Sequence, residues 1–197
     1  MMYSETFHSE HAQLHPGVIT AKQRVDGYAD MARARVADGW DAYALTIMFN
    51  HIPRSERAIG KMMEREAERL YATLLTRIIR KPSSPHERHN RPVWMLFPDY
   101  PITKRERRDK SLTTANNGRH LHGTALIAPN SRLKQPLDEH LAENASRYVR
   151  RPIHRVYAEP IAGDPGFWID YALKSITTGR AEDDEIIVLP SATSELS

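Results

Sequence analysis

The 197-residue chain contains no cysteine. That excludes disulfide bridges and thiolate metal sites, and it suits a reducing compartment, so a cytoplasmic location is expected. Glycine is also scarce, at nine residues, and none of them falls in a phosphate-cradling glycine loop, so no fused helicase motor is expected. No apolar run approaches the length of a membrane span, and the polar first residues lack a signal-peptide core. No internal repeat is visible. The length suits one well-buried domain with extensions, and 40% hydrophobic with 27% charged residues is ordinary for a soluble globular protein.

What the chain does have is a mild excess of positive charge, +3 overall, which is compatible with a nucleic-acid partner without requiring one. Its placement says more. "KRERRDK" supplies Lys104, Arg105, Arg107 and Arg108, and "RYVRRPIHR" supplies Arg150 and Arg151 among others. Each run reads equally as solvated surface charge or as contacts to phosphates, which neutralise backbone charge without reading sequence. Arg119, directly before a histidine pair, joins them as a candidate DNA contact.

Periodicity gives a coarse order of elements. Residues 1 to about 18 look loose, and Thr20 to Ala37 reads as a helix stopped by Gly39. "YALTIMF", "PVWMLF", "HLHGTALIA" and "HRVYAEPI" read as strands, with "EIIVLP" as a short last one. A long helix with Ser55 as N-cap carries Ile59, Met63, Ala67, Leu70, Leu74 and Ile78 at helical spacing. A second spans Leu137 to Val149, and a third opens on Asp164 and Pro165 and ends at Gly179. The expected fold is α+β, a ferredoxin-like (split β-α-β) antiparallel sheet with helices packed on one face. The expected division is an N-terminal arm with a helix over 1–40, a catalytic domain over 41–190 and a flexible tail over 191–197. The strands flanking the long 98–119 connection should pair antiparallel.

Two small patterns carry chemistry. In "HLHG", His120 and His122 flank Leu121, so on a strand both imidazoles leave one side of the sheet, as half of a divalent-metal site. A pair of surface histidines has the same spacing. In "WIDYALKSI", Trp168, Ile169, Ala172, Leu173 and Ile176 cover a core-facing arc, and Tyr171 and Lys174 sit together off it, one turn apart. An exposed tyrosine beside a lysine reads the same way. A metal-binding cupin would need a glutamate soon after the histidines, and "GTALIAPN" offers none. His8, His11 and His15, and His86 with His89, read as solvent-exposed.

Taken in order, "LTIMF" (Leu45 to Phe49), "HLH" and "YALK" (Tyr171 to Lys174) resemble the three motifs of HUH endonucleases, in the single-tyrosine replication-initiator (Rep) branch. The resemblance covers about Tyr43 to Pro190. It implies sequence-specific nicking and joining of single-stranded DNA at a replication origin or hairpin, with Tyr171 as nucleophile and a 5′-phosphotyrosyl intermediate. It further implies a Mg2+ or Mn2+ ion on His120 and His122, and Lys174 beside the phenol. The biological role implied is initiation of rolling-circle replication of a plasmid or phage-like element, with host helicase and polymerase as partners. A phenol ordinarily ionises at about pH 10, so a cation polarising the phosphate and a lysine near the oxygen answer a real chemical need. Rep proteins usually draw a third, acidic ligand from the strand before H-x-H; Asp99 is the first candidate here, with Glu106 and Glu159 behind it. Tyr148 and Tyr157 are the alternative nucleophiles. Competing readings are a transposase of the same superfamily, a non-catalytic nucleic-acid-binding ferredoxin-like module, and a small α+β protein whose motifs coincide by chance.

Overall fold

The computed structural model describes residues 20–99, 119–174 and 185–191. Helix α1 (Ala21–Ala37) begins with a reciprocal cap: Gln23 N–H donates to the Thr20 hydroxyl, and Thr20 N–H donates to the Gln23 side chain. It ends at Gly39, whose φ of +84° is a left-handed conformation that glycine adopts without strain. Strands β1 (Asp41–Phe49), β2 (Val93–Asp99), β3 (His120–Ile127), β4 (Ile153–Pro160) and β5 (Ile187–Leu189) form one sheet in the order β4-β1-β3-β2-β5. Every neighbouring pair is antiparallel, including β2 with β3 across the long connection. The molecule is therefore α+β with a five-stranded antiparallel sheet. Its first four strands stand in an order consistent with a ferredoxin-like fold, and β5 extends the β2 edge.

Helices cover both faces of this sheet, not one. The reason is in the strands: Ala42 to Ile47 is buried without a break, so both sides of β1 need a cover. On one side α2 (Glu56–Ile78) buries Ile59, Met63, Ala67, Leu70, Leu74 and Ile78, the six expected positions, together with Tyr71. They pack on Tyr43, Leu45 and Ile47 of β1, Trp94 and Leu96 of β2, and Leu121 and Ala125 of β3. On the other side α1 and α5 (Pro165–Ala172) lie against each other and bury Val25, Ala32, Ile169, Ala172 and Leu173 on Ala42, Met95, Phe97 and Leu126. Helix α1 is thus part of the packed body, and the expected boundary at 40/41 cuts through it. The first nineteen residues and the expected 191–197 tail beyond Ser191 lie outside the described residues.

Two helices differ from expectation. The span read as one helix over 137–149 is two, α3 (Leu137–Glu143) and α4 (Ala145–Tyr148). At the junction the Asn144 side chain and backbone N–H both donate to the His140 carbonyl, at 3.0 and 3.1 Å, and the Asn144 backbone leaves helical geometry at φ −106° and ψ 23°. Helix α5 opens as expected, with Asp164 accepting from Gly166 N–H at 2.9 Å and Pro165 in the first turn; its expected terminator Gly179 lies outside the described residues. Among the described residues no helix is long and apolar enough to cross a membrane.

Candidate active site

The site is built at the end of the sheet where β3 begins and β1 and β2 finish. Alternation along β3 sends Leu121, Ala125 and Ile127 into the α2 core, and His120, His122 and Leu126 to the α1/α5 side. Both imidazoles therefore leave the same side. Pairing of β2 with β3 sets Asp99 opposite His120 and Phe97 opposite His122, so the Asp99 carboxylate joins that side. It is 7% exposed, and its Oδ2 stands 3.7 Å from His120 Nε2. Gly123 makes this register possible. A Cβ there would run into the Met95 carbonyl, so glycine lets the two strands close up beside the histidines.

Helix α5 brings the phenol. The Tyr171 ring stands 6.1 Å from the His122 ring, edge-on at 86°, and Trp168 touches both, at 5.7 Å from His122 and 5.6 Å from Tyr171. Tyr171 remains 48% exposed. Just beyond α5, Lys174 Nζ lies 3.2 Å from Asp99 Oδ2 and 4.2 Å from the centre of the Tyr171 ring. Burial works against the lysine's charge, but hydrogen bonds to Tyr171 and Asp99 outweigh it and hold the ammonium above its ordinary range. Lys174 is therefore a cation at neutral pH, fixed between the phenol and the carboxylate.

His122 differs electrically from a surface histidine. Burial first, then the neighbouring His120, lower it to about 4, with Lys174 acting the same way and Asp99 opposing. It is neutral at pH 7. Its Nδ1 is 3.0 Å from the Thr46 hydroxyl, which β1 places directly opposite His122. Its Nε2 is buried with no hydrogen-bond partner. When Nδ1 donates to Thr46, Nε2 is left with a bare lone pair.

A buried, unpartnered imidazole nitrogen beside a second imidazole and a carboxylate is a donor set that fits a divalent cation. The three do not form a closed cage as they stand: among the described residues no group of three His, Cys, Asp or Glu side chains is close enough to hold an ion. The three residues expected as ligands thus share one side of the sheet without closing around an ion.

Other expected residues fall elsewhere. Arg119 is a correction: it is 6% exposed, ion-paired with Glu185 and donating to the Glu56 carbonyl. It ties the start of β3 to α2 and the stretch entering β5 rather than offering itself to a phosphate. Arg150 and Arg151 are exposed in the turn entering β4, at the histidine end of the sheet. Lys104, Arg105, Arg107 and Arg108, with Glu106, lie outside the described residues. Glu159 pairs with Ala44, a full pleat away from the Thr46 position that faces His122, so it does not join Asp99. Tyr148 is buried and hydrogen-bonded to His140 Nε2 at 2.7 Å, which removes it as a nucleophile. Tyr157 sits opposite Thr46 on the site's side of the sheet.

Thr46 and Trp168 are site residues that the sequence reading did not single out. Thr46 had a signal, as the one polar residue in "LTIMF" with the strand parity of the side facing away from Leu45 and Ile47. Trp168 was assigned to the core arc, and instead leans off it onto His122.

Compared with protein-family models, with curated proteins and with solved structures, the chain matches none. The functional reading accordingly stands on residue identity and geometry.

Proposed function

We propose that this chain is an HUH-type endonuclease of the single-tyrosine Rep kind, which nicks and rejoins single-stranded DNA with Tyr171 as nucleophile. One observation carries the reading. Asp99 from β2, His120 and His122 from β3, and Tyr171 and Lys174 from the end of α5 converge on one patch, though up to 75 positions separate them in the sequence (Asp99 to Lys174).

The chemistry follows from the side chains. The Tyr171 oxygen attacks the scissile phosphorus, the bond to the 3′ oxygen breaks, and the phosphate is left esterified to the tyrosine on its 5′ side. The phenol loses its proton and the departing 3′ oxygen gains one. Lys174, cationic and within reach of the phenol ring, stabilises negative charge developing on the tyrosine oxygen and the phosphate. Asp99 holds Lys174 in place, and Trp168 and His122 wedge the Tyr171 ring. Thr46 holds His122 by Nδ1 and leaves Nε2 as the free nitrogen. A divalent cation such as Mg2+ or Mn2+, held by His120, His122 and Asp99, would supply Lewis acidity toward a non-bridging phosphate oxygen. Attack by a free 3′-hydroxyl on the phosphotyrosine reverses the step, so one tyrosine serves cutting and joining. In a cell this chemistry starts rolling-circle replication of a plasmid- or phage-like element, with unwinding and synthesis left to host helicase and polymerase; a small transposase would use the same step.

The test is covalent capture. The protein is incubated with a pool of randomised, end-labelled single-stranded DNA and Mn2+, and separated on a denaturing gel. A labelled adduct that disappears in Tyr171→Phe and in the His120→Ala/His122→Ala double variant is the expected result. An adduct that persists in Tyr171→Phe would overturn the assignment, as would no adduct from the unaltered chain. A second reading, a nucleic-acid-binding module without cleavage, is favoured by the open spacing of the three metal donors. It predicts binding that survives both chelator and Tyr171→Phe, with no adduct.

A further inference from the structure

We infer that the half of the site's sheet face that no described helix covers, formed by the exposed Met48 and Arg155 and the half-buried Tyr157, is a stacking platform for unpaired DNA bases next to the cleaved phosphate. This deepens the proposed nickase reading and rests on it for the identity of the strand.

Coverage of that face is lopsided. Helices α1 and α5 sit over residues of β1, β2 and β3, and none of β4's residues is among the side chains of that core. Along β4 the inward residues Val156 and Ala158 enter the α2 core on the far side. The alternate ones, Arg155, Tyr157 and Glu159, therefore point to the α1/α5 side without joining its core; Arg155 and Glu159 are exposed and Tyr157 is half-buried, and Arg155 and Tyr157 also border the cleft beside α3 and α4. The same happens at the end of β1. After six buried residues in a row, Met48 is 38% exposed, a bare thioether chain in the middle of a sheet.

Strand register ties this uncovered area to the chemistry. Thr46 lies between His122 on β3 and Tyr157 on β4, and Met48 is opposite Arg155. Adjacent strands are spaced at about 5 Å, so the Tyr157 and His122 positions are roughly 10 Å apart, a span of at most a few stacked nucleotides. A strand with its phosphate at Tyr171 and His122 cannot leave toward β4 without passing over these side chains.

Their chemistry suits such a strand. The Arg155 guanidinium lies over the Tyr157 ring at 4.8 Å from its centre, giving a cation and an aromatic plane as one unit. Methionine offers a polarisable surface that moulds to a flat ring. Arg150 and Arg151, exposed in the turn that enters β4, continue the positive charge at the histidine end, while Glu159 lies on the opposite side of Tyr157 along the strand. The charge gradient thus points a polyanion from the site toward the Arg150–Arg151 turn. Stacking on aromatic and apolar side chains needs bases freed from pairing, which is the substrate the tyrosine chemistry calls for.

The platform is tested by binding, separately from cleavage. Full-length protein carrying Tyr171→Phe is titrated into fluorescein-labelled oligothymidine of about 16 nucleotides, and into an abasic strand of the same length, with anisotropy as the readout. Tyr157→Ala is expected to weaken oligothymidine binding about ten-fold or more and Met48→Ala less, while Tyr157→Phe stays within about two-fold. The abasic strand, with the same phosphates, should bind weakly and be indifferent to Tyr157→Ala. Arg155→Ala, an exposed substitution, keeps the test open should Tyr157→Ala fold poorly, and should weaken both strands. Unchanged oligothymidine binding in Tyr157→Ala and Met48→Ala overturns the platform, as does equal binding of the abasic strand. Tighter binding of the matching oligouridine would overturn its assignment to DNA. Failure of the nickase reading shows elsewhere, as an absent adduct in the unaltered chain, so the two can fail independently.

Discussion

The two sides of the sheet carry different burdens. The α2 side is sealed by large apolar residues from eight elements, including Trp94, Leu70, Leu74 and Ile47, none more than marginally exposed. The α1/α5 side starts the same way, with Met95, Phe97, Leu126 and Ile169 fully buried, and then changes character. Toward the ends of β1 and β2 and the start of β3 it gives way to Thr46, His120, His122, Asp99 and Lys174, and toward β4 no described helix lies above it. Polar groups in such a place contribute less to folding than apolar ones would, because burying them costs desolvation that their hydrogen bonds only offset. The contrast assigns most of the stability to the α2 side and puts the proposed chemistry on the other, in line with the rule that local conflict with good packing concentrates at functional sites.

Substitutions on the two sides should therefore separate stability from activity. Tyr171→Phe removes the oxygen of a half-exposed residue outside both cores, whose hydrogen bond is to Lys174; the covalent adduct should vanish while the melting temperature moves by only about 1–3 °C. Leu70→Ala does the reverse. It empties a fully buried site against α2's core and should cost about 3 kcal/mol in urea unfolding, a fall of roughly 6–12 °C in Tm, with adduct yield per folded molecule intact. If Leu70→Ala instead destroys the adduct at temperatures where the chain is folded, the division between sides fails.

Thr46→Val sharpens the boundary. It keeps the shape and deletes the hydroxyl on His122 Nδ1. Mn2+ affinity by titration calorimetry should fall about ten-fold and Thr46→Ser should restore it, with a stability loss of about 1 kcal/mol. Recovery of affinity by Ser but not Val separates hydrogen bonding from packing.

The smallest effect is a pH dependence on the α2 side. His140 packs against Tyr148 there, and burial, with Arg77 and Arg147 nearby, lowers its ionisation while Glu143 opposes. The folded state thus favours neutral imidazole, and the unfolded chain takes up the proton first as pH drops below about 6.5. The contribution is complete above that pH and is lost as pH falls through the depressed folded value. In urea midpoints measured from pH 8 to pH 4, His140→Gln should flatten this part of the decline. An unchanged profile would remove His140 as its source.

Much of the site was legible because it depends on parity and short spacing. Alternation alone put His120 and His122 on one side, and a helical turn put Lys174 next to Tyr171. The acidic candidate at the end of "LFPD" came from the resemblance, which implies a ligand on the strand before the histidine pair. What was not legible depends on pairings distant in sequence. Thr46 reaches His122 across 76 positions and Arg119 reaches Glu185 across 66, and neither pairing leaves a local trace. The arginine looked like a phosphate contact because it is charged and adjacent to the histidines; its strand parity, opposite to theirs, turns it into the other side of the sheet. The cover on both faces was also readable in principle. "YALTIMF" and "PVWMLF" are apolar at consecutive positions, the mark of strands buried on both sides, and that outweighed treating the first helix as an arm.

The opposed pair Asp99 and His120 has one more consequence. They are the last residue of β2 and the first of β3, locked across from each other, with the whole 100–118 stretch strung between them. The anchor points of that insert are set by the ladder and not by its contents, and doubling a flexible insert's length costs only about 0.6 kcal/mol of closure. Replacing or lengthening 100–118 should therefore leave Asp99 and His120 opposite each other, because the ladder and not the insert sets their places.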